Sequence, residues 1–221
     1  MSPQPLPVAV LISGTGSNLK ALINAVEQDH LELDLCHVIS NRTDAPGLDH
    51  ARDAGIPCSV INAQSAGESE DQDRQIGQRL AACGAELVIL AGYMRILGAD
   101  LVQRFLGQMI NLHPSLLPRY RGLHTYERVI ANGDHEHGAS IHYVTTELDG
   151  GPVISQVRIP VFPHDTSDTL AARLGPREHN LLQATVELFT HRRVKMRPGG
   201  VLLDAQRLQQ PLVLSANNDF E

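Results

Sequence analysis

The sequence is short of basic residues, of paired cysteines and of long apolar runs, and each shortage closes off a class of function. Lys plus Arg number 18 against 25 Asp plus Glu, so the formal net charge is −7 and the pI is about 5.8. An acidic surface argues against general nucleic-acid binding, whose affinity comes from phosphate neutralisation. An anionic ligand would then be met locally, by arginines, histidines or backbone N–H groups. Cys36, Cys58 and Cys83 are far apart and form no CxxC pair. That spacing fits neither a disulfide framework nor a zinc site, and it implies a reduced, cytoplasmic compartment. No apolar run approaches the roughly 18 residues of a membrane span. The N-terminal MSPQPLP lacks the charged and apolar regions of a signal peptide. Repeats, low-complexity segments and linkers are missing too, so a single domain over residues 1–214 is expected, with an unpacked tail at 215–221.

What is present suits a globular enzyme. The chain has 221 residues, 42% hydrophobic and 19% charged, enough to bury a core. Apolar runs at residues 8–12, 35–39, 59–61, 87–90 and 109–113 read as strands. Helices are expected from Asn18, over 47–54 and 69–82, and near 101–105. Such alternation of apolar strands with helices marks a parallel sheet covered on both faces. After Asn132-Gly133 the pattern changes to strands at 139–144 and 153–160 joined by a turn at Asp149-Gly150-Gly151. A long amphipathic helix over 167–190 and a strand at 201–203 follow. The expected class is α/β, a Rossmann-like, mostly parallel twisted sheet with helices on both faces.

Gly14-Thr-Gly16-Ser-Asn18 lies between a strand and a helix that Asn18 would cap. Glycines let the backbone approach a ligand, and a helix N-terminus offers unpaired N–H groups at the positive end of its dipole. The dinucleotide fingerprint fails, because its third glycine position is Leu19 and Ser40-Asn41 replaces the ribose-binding acid. A single phosphate monoester fits better, and a plain strand–helix turn remains the alternative. Arg42 reads as the solvent side of a turn.

Asn111 and His113 occupy positions i and i+2 of a strand that Pro114 ends, so both side chains point to one side. An amide donor beside an imidazolium suits negative charge on an oxygen. A neighbouring carboxylate would raise the histidine's pKa and fix the ring; Asp149 is the candidate. Taken alone, the pair also fits a structural histidine. His135-Glu-His137 reads as a solvated turn, since two ligands do not close a metal site. His142 is left unassigned. His124 is a weaker candidate for substrate contact than for packing. Cys58 and Cys83 read as buried thiols, and Arg192-Arg-Val-Lys195 as a helix C-terminal end.

Several motifs in order now carry a resemblance. Asn111-Leu-His-Pro-Ser-Leu-Leu-Pro118, Tyr120, Gly122-Leu-His-Thr125 and Leu148-Asp-Gly-Gly-Pro152 resemble the folate-dependent formyltransferase family. Ile12-Ser-Gly-Thr-Gly-Ser-Asn-Leu19, Leu90-Ala-Gly-Tyr-Met-Arg-Ile-Leu97, Gly133-Asp134 and His137-Gly138 are similar to its branch acting on glycinamide ribonucleotide in purine biosynthesis. The likeness runs from about Val8 to about Leu208.

The resemblance implies a ribonucleotide-phosphate half over about 6–105 and a folate and catalytic half over about 106–214. It implies transfer of the formyl group of 10-formyltetrahydrofolate to the amine of 5′-phosphoribosylglycinamide, by direct amine attack. In it Asn111 and His113 stabilise the oxyanion and Asp149 supports His113. Gly16, Ser17 and Asn18 would hold the 5′-phosphate and Glu178 the ribose hydroxyls. Met94, Arg95, Ile96 and Leu97 would line the pterin and formyl region, with Asn111 and a loop from Val144 to Asp149. No metal, nucleic acid or membrane is implied, and the chain would act as a monomer or homodimer. Two departures stand out. Glu68-Ser-Glu-Asp71 has no arginine for the folate glutamate tail, and Gly175-Pro176 falls where the family has helix formers, so the helix would kink or start later and move Glu178. Formylation of a sugar amine or of methionyl-tRNA is the enzyme alternative. The tRNA reading calls for an additional carboxy-terminal domain and a basic surface, and cofactor deformylation often comes with an added amino-terminal regulatory domain. A binding module without chemistry would not need the trio.

Overall fold

The computed structural model describes residues 4–221, which divide into two compact units, one ending at Asn111 and one beginning at Leu112. In the first unit the chain order is β1 (Leu6–Ile12), α1 (Ser17–Glu27), β2 (Leu33–Ser40), α2 (Gly47–Asp53) and β3 (Cys58–Val60). Then come α3 (Ala63–Ala66), α4 (Ser69–Ala82), β4 (Leu87–Ala91), α5 (Ala99–Arg104) and β5 (Met109–His113), the last running across the boundary. β1 pairs in parallel with β2 on one side and β4 on the other, and β2 with β3. Val8 to Ile12 are wholly excluded from solvent, which is why the run is continuously apolar rather than alternating. Each such aliphatic side chain contributes about 1.5–3 kcal/mol on burial.

The glycine loop is shaped by packing. Gly16, with φ +70°, is the N-cap of α1, and a Cβ there would lie 2.6 Å from Gly47 Cα. Asn18, expected as the cap, is instead the second helical residue, because only glycine takes the left-handed conformation this close to α2 at little cost. The Gly47 N–H donates to the Gly14 carbonyl at 3.0 Å and ties the loop to α2.

The second unit contains α6 (Thr125–Ala131), β6 (Glu136–Tyr143), β7 (Val153–Pro160), α7 (Ser167–Thr190), β8 (Val194–Arg197), β9 (Gly200–Leu203), β10 (Gln206–Arg207) and β11 (Leu212–Leu214). β6 and β7 form an antiparallel pair, β11 runs parallel to β7, and β8, β9 and β10 make a small antiparallel sheet. The turn between β6 and β7 is tight. A Cβ on Gly151 would meet the Tyr143 carbonyl oxygen at 1.8 Å. The α/β class is as expected.

Two local expectations are corrected here. α7 begins at Ser167 under a capping box between Thr166 and Thr169 and continues through Pro176. Its buried stripe, Leu170, Leu174, Leu181, Leu182 and Val186, outweighs the one hydrogen bond that proline removes. The tail at 215–221 is not unpacked. Val213 and Glu221 exchange backbone hydrogen bonds, and Arg177 donates to the Ser215 carbonyl at 2.5 Å and to Asn218 Oδ1 at 2.8 Å.

Candidate active site

His113 ends β5 and is 6% exposed. Its Nε2 lies 2.9 Å from the Tyr120 carbonyl oxygen, and its Nδ1 lies 3.5 Å from Asp149 Oδ2. A carbonyl only accepts, so Nε2 carries the donated hydrogen and Nδ1 faces the carboxylate. Asn111 is half-buried two residues earlier on the strand. Burial pushes the His113 pKa down; the Tyr120 carbonyl and Asp149 pull it up without offsetting that, while His142 and Arg128 lower it further. The expectation that Asp149 leaves the ring with a raised pKa is therefore corrected. Desolvation exceeds the attraction of a carboxylate 3.5 Å away.

Asp149 follows the exposed residues 146–148 and has φ +46°. Its Oδ2 accepts from the Gly122 N–H at 2.8 Å. Its Oδ1 lies 3.6 Å from His142 Nε2. Burial alone would raise this carboxyl; His142, the Gly122 N–H and His113 together hold it below the usual carboxylate range. His142, unassigned from sequence, is thus the second imidazole on the same carboxylate, with its Nδ1 turned to the Tyr143 carbonyl oxygen at 2.9 Å. The signal for it is slight: a histidine late in a buried strand, just before the turn that carries an acid.

Within the first unit, Ser13 joins the glycine loop to the Met94–Leu97 segment. Its hydroxyl donates to Asn41 Oδ1 at 2.6 Å and accepts from the Met94 N–H at 2.8 Å. Ser17 is exposed at the start of α1, and Asn18 Oδ1 is buried with no hydrogen-bond partner. Met94 and Ile96 are 67% and 70% exposed, while Leu97 is buried. Two large apolar side chains in the open suit a flat ligand that covers them. Arg95 is turned inward instead. It pairs with Asp73, a short contact, and donates to Ser69 Oγ at 3.0 Å. Asp73 also accepts from the Gly98 N–H at 2.8 Å. A cavity of about 480 Å3 opens beside Arg95, edged by Asn41, Asn62 and Gln72.

Glu178 is half-buried on α7, and its charge adds to the burial that raises the Tyr126 phenol. Val144 is half-buried at the start of its loop. His137 is not in a solvated turn. It is on β6, 1% exposed, edge-on to Tyr126 with ring centroids 4.9 Å apart, and burial pushes its pKa down to about 4. His124 is exposed rather than packed, 3.8 Å from Glu127. Arg42 pairs with Asp44 at the surface. All three cysteines are free and half-buried rather than buried. Among the described residues no group of three or more His, Cys, Asp or Glu is placed to hold a metal ion, and no helix is long and apolar enough to cross a membrane.

A sequence profile described as formyl transferase matches residues 6–186. This chain belongs to the formyl transferase family. It is 43% identical over 201 residues to phosphoribosylglycinamide formyltransferase of Escherichia coli K12, an alignment covering 91% of this chain and 95% of that protein. Among solved structures, the phosphoribosylglycinamide formyltransferase of Coxiella burnetii superposes with a TM-score of 0.88 at 43% identity, covering 92% and 96% of the two chains. A formyltetrahydrofolate deformylase from Pseudomonas syringae gives a TM-score of 0.84 at 26% identity, covering 90% of this chain and 66% of that one.

Proposed function

We propose that the chain transfers the formyl group of 10-formyltetrahydrofolate to the amine of 5′-phosphoribosylglycinamide in purine biosynthesis. The observation that carries the chemistry is the buried contact between His113 and Asp149, with Asn111 two residues back on β5. The deprotonated amine attacks the formyl carbon, and negative charge grows on the formyl oxygen. Asn111 donates an N–H to that oxygen. Burial holds the His113 pKa down. As the attacking nitrogen becomes cationic it gives a proton to Nδ1, whose charge Asp149 stabilises beside the oxyanion, and that proton passes on to the leaving nitrogen. An interaction that strengthens as charge develops lowers the barrier rather than merely tightening substrate binding. Asp149 also orders the proton transfer toward the leaving nitrogen.

The remaining residues bind. Gly16, Ser17 and Asn18, at the exposed N-terminus of an 11-residue helix, hold the 5′-phosphate, and Glu178 takes the ribose hydroxyls. Met94, Ile96 and Leu97 contact the pterin and formyl region, and residues 144–149 are a folate-binding loop. Arg95, held inward against Asp73, belongs to the wall of that region. No step requires a metal.

The test is an absorbance assay of formyl loss from 10-formyl-5,8-dideazafolate, with and without the ribonucleotide amine. Formyl loss that depends on the amine and yields formylated ribonucleotide is expected. Loss at the same rate without amine would assign the chain to hydrolysis, the activity named for the Pseudomonas syringae relative.

A further inference from the structure

We propose that Cys36 and Cys83 are a redox modification site, closing to an intramolecular disulfide when a small-molecule disulfide of the glutathione class is in excess. Cys36 lies in the middle of β2, and Cys83 is the C-cap of α4, a helix that packs against β2. Their Sγ atoms are 3.1 Å apart although 47 positions separate them in the chain. A disulfide needs the sulfurs at about 2.05 Å, so closing it takes an approach of roughly 1 Å from their 3.1 Å separation. Each thiol is also lodged near a carbonyl, Cys36 Sγ 3.4 Å from Val8 O and Cys83 Sγ 3.4 Å from Leu80 O, so the facing arrangement is fixed by packing on both sides. Both residues are half-buried, not sealed.

Burial and the neighbouring sulfur push the Cys36 thiol up to about 12. Cys36 is therefore a poor first nucleophile, and Cys83 meets the oxidant. The Cys83 thiolate attacks one sulfur of the small disulfide and expels one thiolate, leaving a mixed disulfide. Cys36, losing its proton to solvent, then attacks Cys83 Sγ and expels the second. One small disulfide is reduced to two thiols, and the protein exchanges two S–H bonds for one S–S bond. The cross-link staples the C-terminal end of α4, the helix whose Asp73 holds Arg95 and the Gly98 N–H, and a thiol reductant reverses it.

The full chain is incubated with oxidised glutathione, then mapped by peptide mass under non-reducing conditions alongside a free-thiol titration. Titratable thiols are expected to fall from the three of the sequence to the single one of Cys58. A peptide joining Cys36 to Cys83 should appear, lighter by two hydrogens than its parts, and the melting temperature should rise relative to the reduced protein. In Cys36→Ser the glutathione adduct on Cys83 should persist, with nothing to resolve it. Three thiols surviving prolonged exposure, a cross-link through Cys58, or stable separate adducts on Cys36 and Cys83 of the unsubstituted chain would overturn the proposal. The mapping uses that unsubstituted chain, so it decides the matter even if a variant folds poorly.

Discussion

Asp149 and Tyr120 both hold positive φ, +46° and +57°, and both face His113, one through its carboxylate and one through its carbonyl. Non-glycine residues in the left-handed region cost about 1–3 kcal/mol each, and such strain collects where a site needs a fixed geometry. Asparagine tolerates that region nearly as well as aspartate, so Asp149→Asn removes the charge and leaves the backbone alone. Asp149 raises the His113 pKa; without it the ring should titrate at still lower pH. NMR titration of the imidazole reads this directly, and an unmoved His113 signal would break the pairing. His113→Ala should lower kcat by roughly 10²–10³ or more with circular dichroism unchanged; turnover near that of the parent chain would remove His113 from the chemistry. The i, i+2 relation of Asn111 and His113 was legible because strand periodicity is local. Asp149, 36 positions on, stood out as a candidate acid in a turn, but no local pattern sets its distance from His113, and His142 stayed hidden because a hydrogen-bond partner across a turn leaves no periodic trace. The net direction of the His113 shift was not legible either, since it depends on how much water the folded site excludes.

Among the elements, the long apolar or amphipathic ones were read nearly to the residue, including α4, β5, β7 and α7. The short ones were read unevenly: α2, β3 and α5 stood out, whereas α3, α6, β8, β10 and β11 did not, since so few residues carry little periodicity. α7 is the instructive case. Gly175 and Pro176 are both poor helix residues, yet the helix runs through them because its apolar stripe is buried on either side. They also belong together. The residue before a proline is crowded in the α conformation by the proline ring, and glycine, with no Cβ, relieves that. Space is not the obstacle, for nothing outside the immediate chain lies within 4 Å of a Cβ built on Gly175. Gly175→Ala alone should be neutral or destabilising. Pro176→Ala should stabilise by about 1–3 kcal/mol through the restored N–H, and adding Gly175→Ala to it should then gain a further ~0.5–1 kcal/mol. Urea denaturation of the two single variants and the double closes the cycle, and strict additivity would show that the pair is not coupled.

At the scale of the whole molecule, acid stability is set by imidazoles that folding shields from water. Burial lowers the pKa of His37, His113, His137 and His179 from the ordinary 6.5. Between each folded pKa and about 6.5 the unfolded chain binds more protons than the native one, so stability rises with pH across that window and falls on acidification. The stabilisation is therefore complete above about pH 6.5 and gone once pH has dropped below the folded values. His137 is the largest contributor. Its ring is 1% exposed, neither nitrogen has a hydrogen-bond partner, and its pKa sits at about 4. At ~1.4 kcal/mol per unit, that difference amounts to about 3 kcal/mol. Asp149, whose carboxyl is held low, acts in the same direction further down, losing its contribution as pH falls through and below the ordinary carboxylate range. His137→Leu keeps an apolar group of similar size against Tyr126 and removes the titration. Urea midpoints of the parent chain should drop steeply between about pH 7 and pH 4, and those of the variant less so, the gap shifting by about 2–3 kcal/mol in the variant's favour. Parallel curves for the two proteins would mean that the His137 ring takes up its proton in the folded state as readily as in the unfolded one, and the account of its burial would fail.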